Sequence, residues 1–148
     1  MKNPGAEWYE SLVRKSALNF VFSKLLWQHR EFFRDKVNYG KRLLDIGCGL
    51  GAFLSKAKKR GYKVFGIDIN RDTVAVAKKR YGLEGVYAID EKELYDHFIF
   101  KKFDVITFFE VLEHLDDPTQ FIVRVKKILK CGGYIVLSVP NRDRVKET

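Results

Sequence analysis

Apolar and polar positions alternate along this chain in two periods, and glycine or a capping residue marks most of the switches between them. "RLLDIG" (42–47) is an apolar run of strand length, and "AFLSKAKKR" (52–60) then puts Phe53, Leu54 and Ala57 on one helical face before Gly61. "YKVFGIDI" (62–69) predicts a second strand. Asn70 follows as a cap for the helix "RDTVAVAKKR", in which Val74, Ala77 and Tyr81 fall at helical spacing and which Gly82 closes. "EGVYAID" (84–90) predicts a third, shorter strand, and "KFDVITFF" (102–109) a fourth. In "DDPTQFIVRVKKILKCGG" Asp116 or Asp117 caps a helix with Pro118 in its first turn, and Phe121, Ile122, Val125, Ile128 and Leu129 form its buried stripe. "YIVLSVP" (134–140) is the fifth strand. Ahead of all these, "SALNFVFSKLLWQHREFF" (16–33) carries Leu18, Val21, Phe22, Leu25, Leu26 and Phe33 on one side. Such a helix is expected to pack on the sheet or lid a site rather than lie on a membrane.

Strands this uniformly apolar have no wet face, so the alternation predicts an α/β fold, a doubly wound and mostly parallel sheet covered on both sides. Ligands of such sheets bind outside the carboxyl ends of the strands, beside the first one. At 148 residues, 46% hydrophobic and 14% aromatic, the chain has material for one core. The expected division is a helical cap or lid over 1–40 and a ligand-binding core over 41–148.

The net charge of +9 raises the question of a nucleic-acid partner. Its lysines and arginines cluster in "KAKKRG" (56–61), "KKRYG" (78–82) and "VKKILKCGG" (125–133), each running into glycine. That is where helices end and where cations complement the last turn. No aromatic residues interleave these runs to stack bases, so nucleic acid is kept as a substrate possibility and nothing more. Cys48 and Cys131 lack metal-site spacing and are read as small buried thiols, so no metal is expected. "MKNPGAEWYESLVRK" has no signal-like apolar core and no later stretch approaches a membrane span, which gives the cytoplasm as the expected compartment.

The chemistry concentrates in "RLLDIGCGLGAF" (42–53). Gly47, Gly49 and Gly51 permit a sharp turn and a close approach of main-chain amides to a ligand. Gly47, Gly49 and Ala52 also satisfy the GxGxx(G/A) pattern of dinucleotide-binding folds, with Asp68 where a ribose-binding acid belongs, so two cofactors fit. Asp45 separates them. A carboxylate inside a buried strand needs a cationic or hydrogen-bonding partner. It would repel the pyrophosphate of a nicotinamide dinucleotide and complement the ammonium and sulfonium of S-adenosylmethionine.

From about residue 41 to 142 the chain resembles the class I S-adenosylmethionine-dependent methyltransferases, in the broad group that includes the ubiquinone-biosynthesis O-methyltransferases. "LLDIGCGLG" resembles the group's first motif, "VFGIDIN" its second and "DEKEL" (90–94) the acidic segment after strand three. "FDVITFFEVLEHLDDP" (103–118) resembles strand four with its loop, and "LKCGGYIVLSVPN" (129–141) strand five. Ile89 and Cys131 depart from the usual glycine and proline. The resemblance implies a Rossmann-like sheet in the order 3-2-1-4-5 and S-adenosylmethionine as cofactor. Its implied contacts run from Gly47 through Cys48 and Gly49 to Gly51 around the methionine part, with Asp45 tied, directly or through water, to the amino group. Asp68 would take the ribose hydroxyls and Ile69 the adenine face, while Asp90 and the amide of Glu91 would reach the adenine edge. Asp90 also reads as a plain helix cap.

In "EVLEHL" (110–115), expected beside the methyl group, Glu110 borders the methionine part. His114 belongs to the residue type that takes protons near neutrality, and it could serve as base or merely shape the pocket. His29 and His97 are left as surface or packing residues. The acceptor is not written in the sequence. A small molecule methylated on oxygen is the first reading, with "EWYES" (7–11) as a candidate piece of its pocket wall. An NAD(P)-binding oxidoreductase and a cofactor-binding module without turnover remain open alternatives. Finally, the family has two further strands that "NRDRVKET" cannot supply. The open edge of strand five is therefore expected to be covered by additional chain, with the 148 residues a fragment, or by another polypeptide.

Overall fold

Helices begin in this protein where the sequence supplies an acceptor for their first free N–H groups. The computed structural model describes residues 27–34 and 41–140. Its elements are α1 (Trp27–Phe32), β1 (Arg42–Ile46), α2 (Ala52–Lys59), β2 (Lys63–Asp68), α3 (Arg71–Tyr81), β3 (Val86–Ala88), α4 (Leu94–His97), β4 (Phe103–Phe109), α5 (Pro118–Ile128) and β5 (Leu129–Ser138). Asn70 accepts the amide hydrogens of Asp72 and Thr73 and starts α3, and Asp117 accepts that of Gln120 and starts α5 with Pro118 in the first turn. At α2 the device is steric instead. Gly51 stands before the helix at φ +86°, and a Cβ there would lie 2.8 Å from Leu83 and 3.0 Å from Ala77. Glycine alone lets the turn close while α3 packs this tightly.

The five strands lie in the order β3-β2-β1-β4-β5, and every neighbouring pair is parallel. Alternate residues of each strand feed two cores. On one face Leu43 and Val105 meet Phe53, Leu54 and Ala57 of α2 with Val74 and Ala77 of α3. On the other, Leu44, Ile46 and Ile106 meet Leu94 and Phe98 with Phe121, Val125 and Ile128 of α5. Over β1 and β4 both faces are dry, and the near-continuous apolar run of those two strands follows from that. The doubly wound parallel fold and its order are as expected.

Three local differences have physical reasons. β5 begins at Leu129 rather than 134, because Phe103 pairs with Leu129 and Val105 with Tyr134, which leaves extra residues bulging around Gly132 at φ +76°. The sequence "KCGG" therefore interrupts a strand instead of preceding one. Cys131 lies in that bulge and is exposed, which corrects the buried-thiol reading for this cysteine, whereas Cys48 is buried. β3 shrinks to three residues. Tyr134 and Leu137 of β5 and Val139 just beyond it are exposed, and among the described residues no strand pairs with its outer side.

Of the predicted 16–33 helix, residues 16–26 lie outside the described residues, as do the 40/41 boundary and residues 7–11. The described end, α1, packs on the α2 side of the sheet. Phe33 is buried, and Phe32 and Phe33 hold their rings 5.2 and 5.3 Å from that of Phe53. No helix among the described residues is long and apolar enough to cross a membrane.

Candidate functional site

Because β1, β2 and β4 are parallel neighbours, the segments leaving their carboxyl ends converge. They enclose a cavity of about 400 Å³ lined by Gly47, Asp68, Ile69, Asp90, Glu91, Glu110 and His114, with Phe109 and Val111 in its wall. Seven of the eleven sequence-predicted residues therefore share one surface. The other four, Asp45, Cys48, Gly49 and Gly51, lie behind it and hold the loop in shape.

The loop is braced from within. Gly47 and Cys48 donate their amides to the Ile67 carbonyl at 2.8 and 3.0 Å, and Gly51 donates to Cys48 O at 3.1 Å. Gly49 donates to Asp68 Oδ2 at 3.0 Å, while Asp68 Oδ1 accepts from the Asn70 amide, also at 3.0 Å. Asp68 thus ties the glycine loop to the start of α3 and keeps lone pairs free toward the cavity. Burial raises its pKa above the ordinary carboxylate value against these two bonds. Cys48 is turned inward against Gly66, and burial, with Asp45 and Asp68 nearby, pushes its thiol pKa well up. It is not a poised nucleophile.

Around the rim, Ile69 leaves 70% of its surface exposed at the cavity mouth, an apolar surface open to a ligand. Asp90 does cap the short turn Glu91–Glu93, accepting from the Lys92 amide at 2.9 Å, and it also lines the cavity. The hydrogen bond from Glu91 and the Lys92 amide hold Asp90 below its usual pKa, and burial raises Glu91. Glu110 sits at φ +55°, alone among the described non-glycine residues in that region. His114 lies in the turn Leu112–His114, with Nε2 3.7 Å from Glu113 Oε1.

Several neighbours were not singled out from sequence. Gln28 of α1, itself buried, donates from Nε2 to Glu110 Oε1 at 2.8 Å across 82 positions. His29 sits 4.8 Å from the Phe53 ring and 5.0 Å from Phe109, and burial lowers its pKa to about 4. Of the two roles left open for it, surface or packing, it has the second, and its place beside the cavity wall was not anticipated. His97 packs likewise, 4.3 Å from the Tyr87 ring. Thr107 was legible in principle as a hydroxyl in an otherwise apolar strand. It stands opposite Asp45 in the β1–β4 register and donates to Asp45 Oδ1 at 2.7 Å. Among the described residues no cluster of His, Cys, Asp or Glu is arranged to hold a metal.

Asp45 gives the site a measurable signature. Burial pushes its carboxyl pKa from 3.8 up to about 7, opposed by the Thr107 bond and aided by the negative charge of Asp68. Between those values the folded chain holds a proton that the unfolded chain has lost, so stability contributed by this group falls as pH rises through the window. Asp45→Asn keeps an acceptor for Thr107 and removes the titration. The variant is expected to melt above the parent at pH 8, with the difference shrinking towards pH 4. Thermal melts of both proteins over that range check it, and comparing the pair cancels the opposite slope contributed by His29.

Residues 19–148 match a protein family described as a methyltransferase domain. Among curated relatives, the ubiquinone biosynthesis O-methyltransferase of Pseudomonas aeruginosa (strain LESB58) is 37% identical over 108 residues, covering 70% of this chain and 46% of that protein. The protein of the same description from Actinobacillus pleuropneumoniae serotype 7 (strain AP76) is 34% identical over 121 residues, covering 76% and 52%. The chain thus spans about half the length of the curated relatives it matches. Among solved structures, an S-adenosylmethionine-dependent methyltransferase from Archaeoglobus fulgidus superposes at TM-score 0.63 with 28% identity, covering 76% of this chain and 50% of that one. One from Thiobacillus denitrificans, in complex with S-adenosyl-L-homocysteine, superposes at 0.63 with 21% identity over 91% and 59%, a likeness of fold. With a five-strand parallel sheet, an acidic cavity at its carboxyl ends and a family match over most of its length, the chain belongs to the class I S-adenosylmethionine-dependent methyltransferases.

Proposed function

We propose that this chain binds S-adenosylmethionine in the cavity above β1, β2 and β4 and directs methyl transfer to a small molecule, with oxygen as the acceptor atom. The observation that carries the reading is the cavity's lining: the acceptor carboxylates Asp68, Asp90, Glu91 and Glu110 at its polar edge, with Ile69, Ile89 and Val111 on its apolar side. That set suits a ligand bearing an ammonium group, vicinal hydroxyls and a flat heterocycle. It is a poor host for the pyrophosphate of a nicotinamide dinucleotide, which would meet Asp68 and Glu110 with Asp45 beneath them. When bound, S-adenosylmethionine supplies a methyl group on a positively charged sulfur. The chain's own part is to bind, orient and exclude water. Asp68 would hold the ribose hydroxyls and Ile69 the adenine face. Asp90, with the Glu91 amide, would face the heterocycle's edge, and Glu110, held by Gln28, would border the methionine end. Oxygen as acceptor atom follows the names of the curated relatives, which are O-methyltransferases.

Calorimetric titration of one sample with S-adenosylhomocysteine and with NADH tests the cofactor. Saturable binding of the first in the micromolar range is expected, about −8 kcal/mol at 1 μM. Saturable binding of NADH alone would overturn the reading.

A further inference from the structure

In a sheet whose strands all run one way, with helices running back, the helix C-termini and the strand starts gather at one end. Here that end carries Lys58, Lys59 and Arg60 at the close of α2, Lys78 to Arg80 at the close of α3, and Lys126 and Lys127 at the close of α5. Lys63, Lys101 and Lys102 precede or open their strands there too. Glu84 and Asp104 stand among them, and Asp104 is already engaged by Lys130 at 3.3 Å and by the Arg42 amide at 2.8 Å. The carboxylates of the cavity are at the opposite end. Complementing the last helical turn accounts for each basic cluster taken singly. The parallel topology adds them into one cationic end face.

A second feature lies at the same end. The loop between α4 and β4 holds Ile99 with 43% and Phe100 with 98% of its surface exposed, directly before Lys101 and Lys102. The loop is anchored and not frayed. Phe98 is buried in the core, the Lys101 amide donates to Phe98 O at 2.8 Å, Lys101 Nζ lies 4.4 Å from the Phe65 ring, and Lys102 Nζ donates to the Lys127 carbonyl. No helix dipole asks for an aliphatic and an aromatic side chain side by side in water. Isolated exposed apolar residues are ordinary, but an adjacent pair held rigidly on a cationic end face is what an interfacial anchor requires.

We propose that this end of the molecule docks on an anionic lipid bilayer, with Ile99 and Phe100 entering the headgroup region and the surrounding lysines over the lipid phosphates. A bilayer is flat and meets all the helix ends at once. A single-stranded nucleic acid stacks successive bases on successive open rings, and here Tyr87 and Tyr95 are already covered by Lys78 and Lys127 at 5.6 and 5.1 Å, which leaves Phe100 as the nearly fully exposed ring among the described residues of these clusters. Docked this way, the cavity at the far end faces water.

The 148-residue chain is sedimented with vesicles of phosphatidylcholine alone and with vesicles containing phosphatidylserine. Binding to the anionic vesicles, reversed by salt, and none to the neutral ones is expected. Ile99→Ser with Phe100→Ser, and separately Lys79→Glu with Lys126→Glu, are each expected to lower the vesicle partition coefficient by about tenfold or more. Thermal melts serve as the control, and these exposed positions should leave them unchanged. Equal binding to both vesicle types, unchanged partition of both variants, or tighter binding to an oligonucleotide than to the anionic vesicles would overturn the proposal.

Discussion

Asp68→Ala is expected to weaken S-adenosylhomocysteine binding by about 2–4 kcal/mol, roughly 30- to 1000-fold, the range for losing charge-assisted hydrogen bonds in a desolvated site. The side chain closes β2 at the cavity wall, and its two oxygens are already fixed by the Gly49 and Asn70 amides at 3.0 Å. A carboxylate held on two sides presents its remaining lone pairs in one direction, which suits a pair of neighbouring hydroxyls. The same bonds mean that the substitution also unties the glycine loop from α3. The two effects separate on measurement. Loop bracing appears in the melting temperature of the ligand-free protein, whereas ribose binding appears in calorimetric affinity. Asp68→Asn retains one acceptor oxygen and is expected to keep most of the melting temperature while losing affinity. An unchanged affinity for Asp68→Ala would place the ribose elsewhere.

The legible and illegible parts of this protein divide along sequence distance. Helix starts at Asn70 and Asp117 are local, since a side-chain oxygen meets an amide two or three residues on, and both appear where the sequence puts them. The two-sided burial of β1 and β4 is also local in its signature, because a strand that is apolar at every position has no face to give to water. Gly51 was legible as a turn residue, but the close approach that makes it obligatory comes from Ala77 of α3 and from Leu83 just beyond that helix. What joins elements far apart could not be read. The Gln28–Glu110 bond needs α1 to cross the carboxyl end of β4, and no pattern within either segment announces it. Thr107 beneath Asp45 depends on the β1–β4 register. A cationic or hydrogen-bonding partner was expected for that buried acid, and the Thr107 hydroxyl is the hydrogen-bonding one. The basic clusters were correctly read as helix ends. Their addition on one face required knowing that all the strands are parallel.

His114→Ala is expected to leave S-adenosylhomocysteine affinity intact and to lower turnover by about 10², the lower range for removing a positioned proton acceptor. The Leu112–His114 turn places the ring at the cavity wall four residues beyond Glu110, with the Glu113 carboxylate 3.7 Å from Nε2. Methyl transfer to a hydroxyl acceptor would release the acceptor's O–H proton, which needs a base at the cavity wall. His114 is the histidine that lines the cavity, and we propose that it receives that proton. His29 is committed to its aromatic packing between Phe53 and Phe109. Alignment and exclusion of water supply most of the acceleration, so the loss is bounded and not total. Single-turnover methyl transfer to a panel of phenolic acceptors measures it, with calorimetry on the same variant reporting the cofactor side. Added imidazole is expected to restore part of the lost rate, because a small base can enter the space the ring has left. A side chain that only shaped the pocket would give a loss below about tenfold and no rescue.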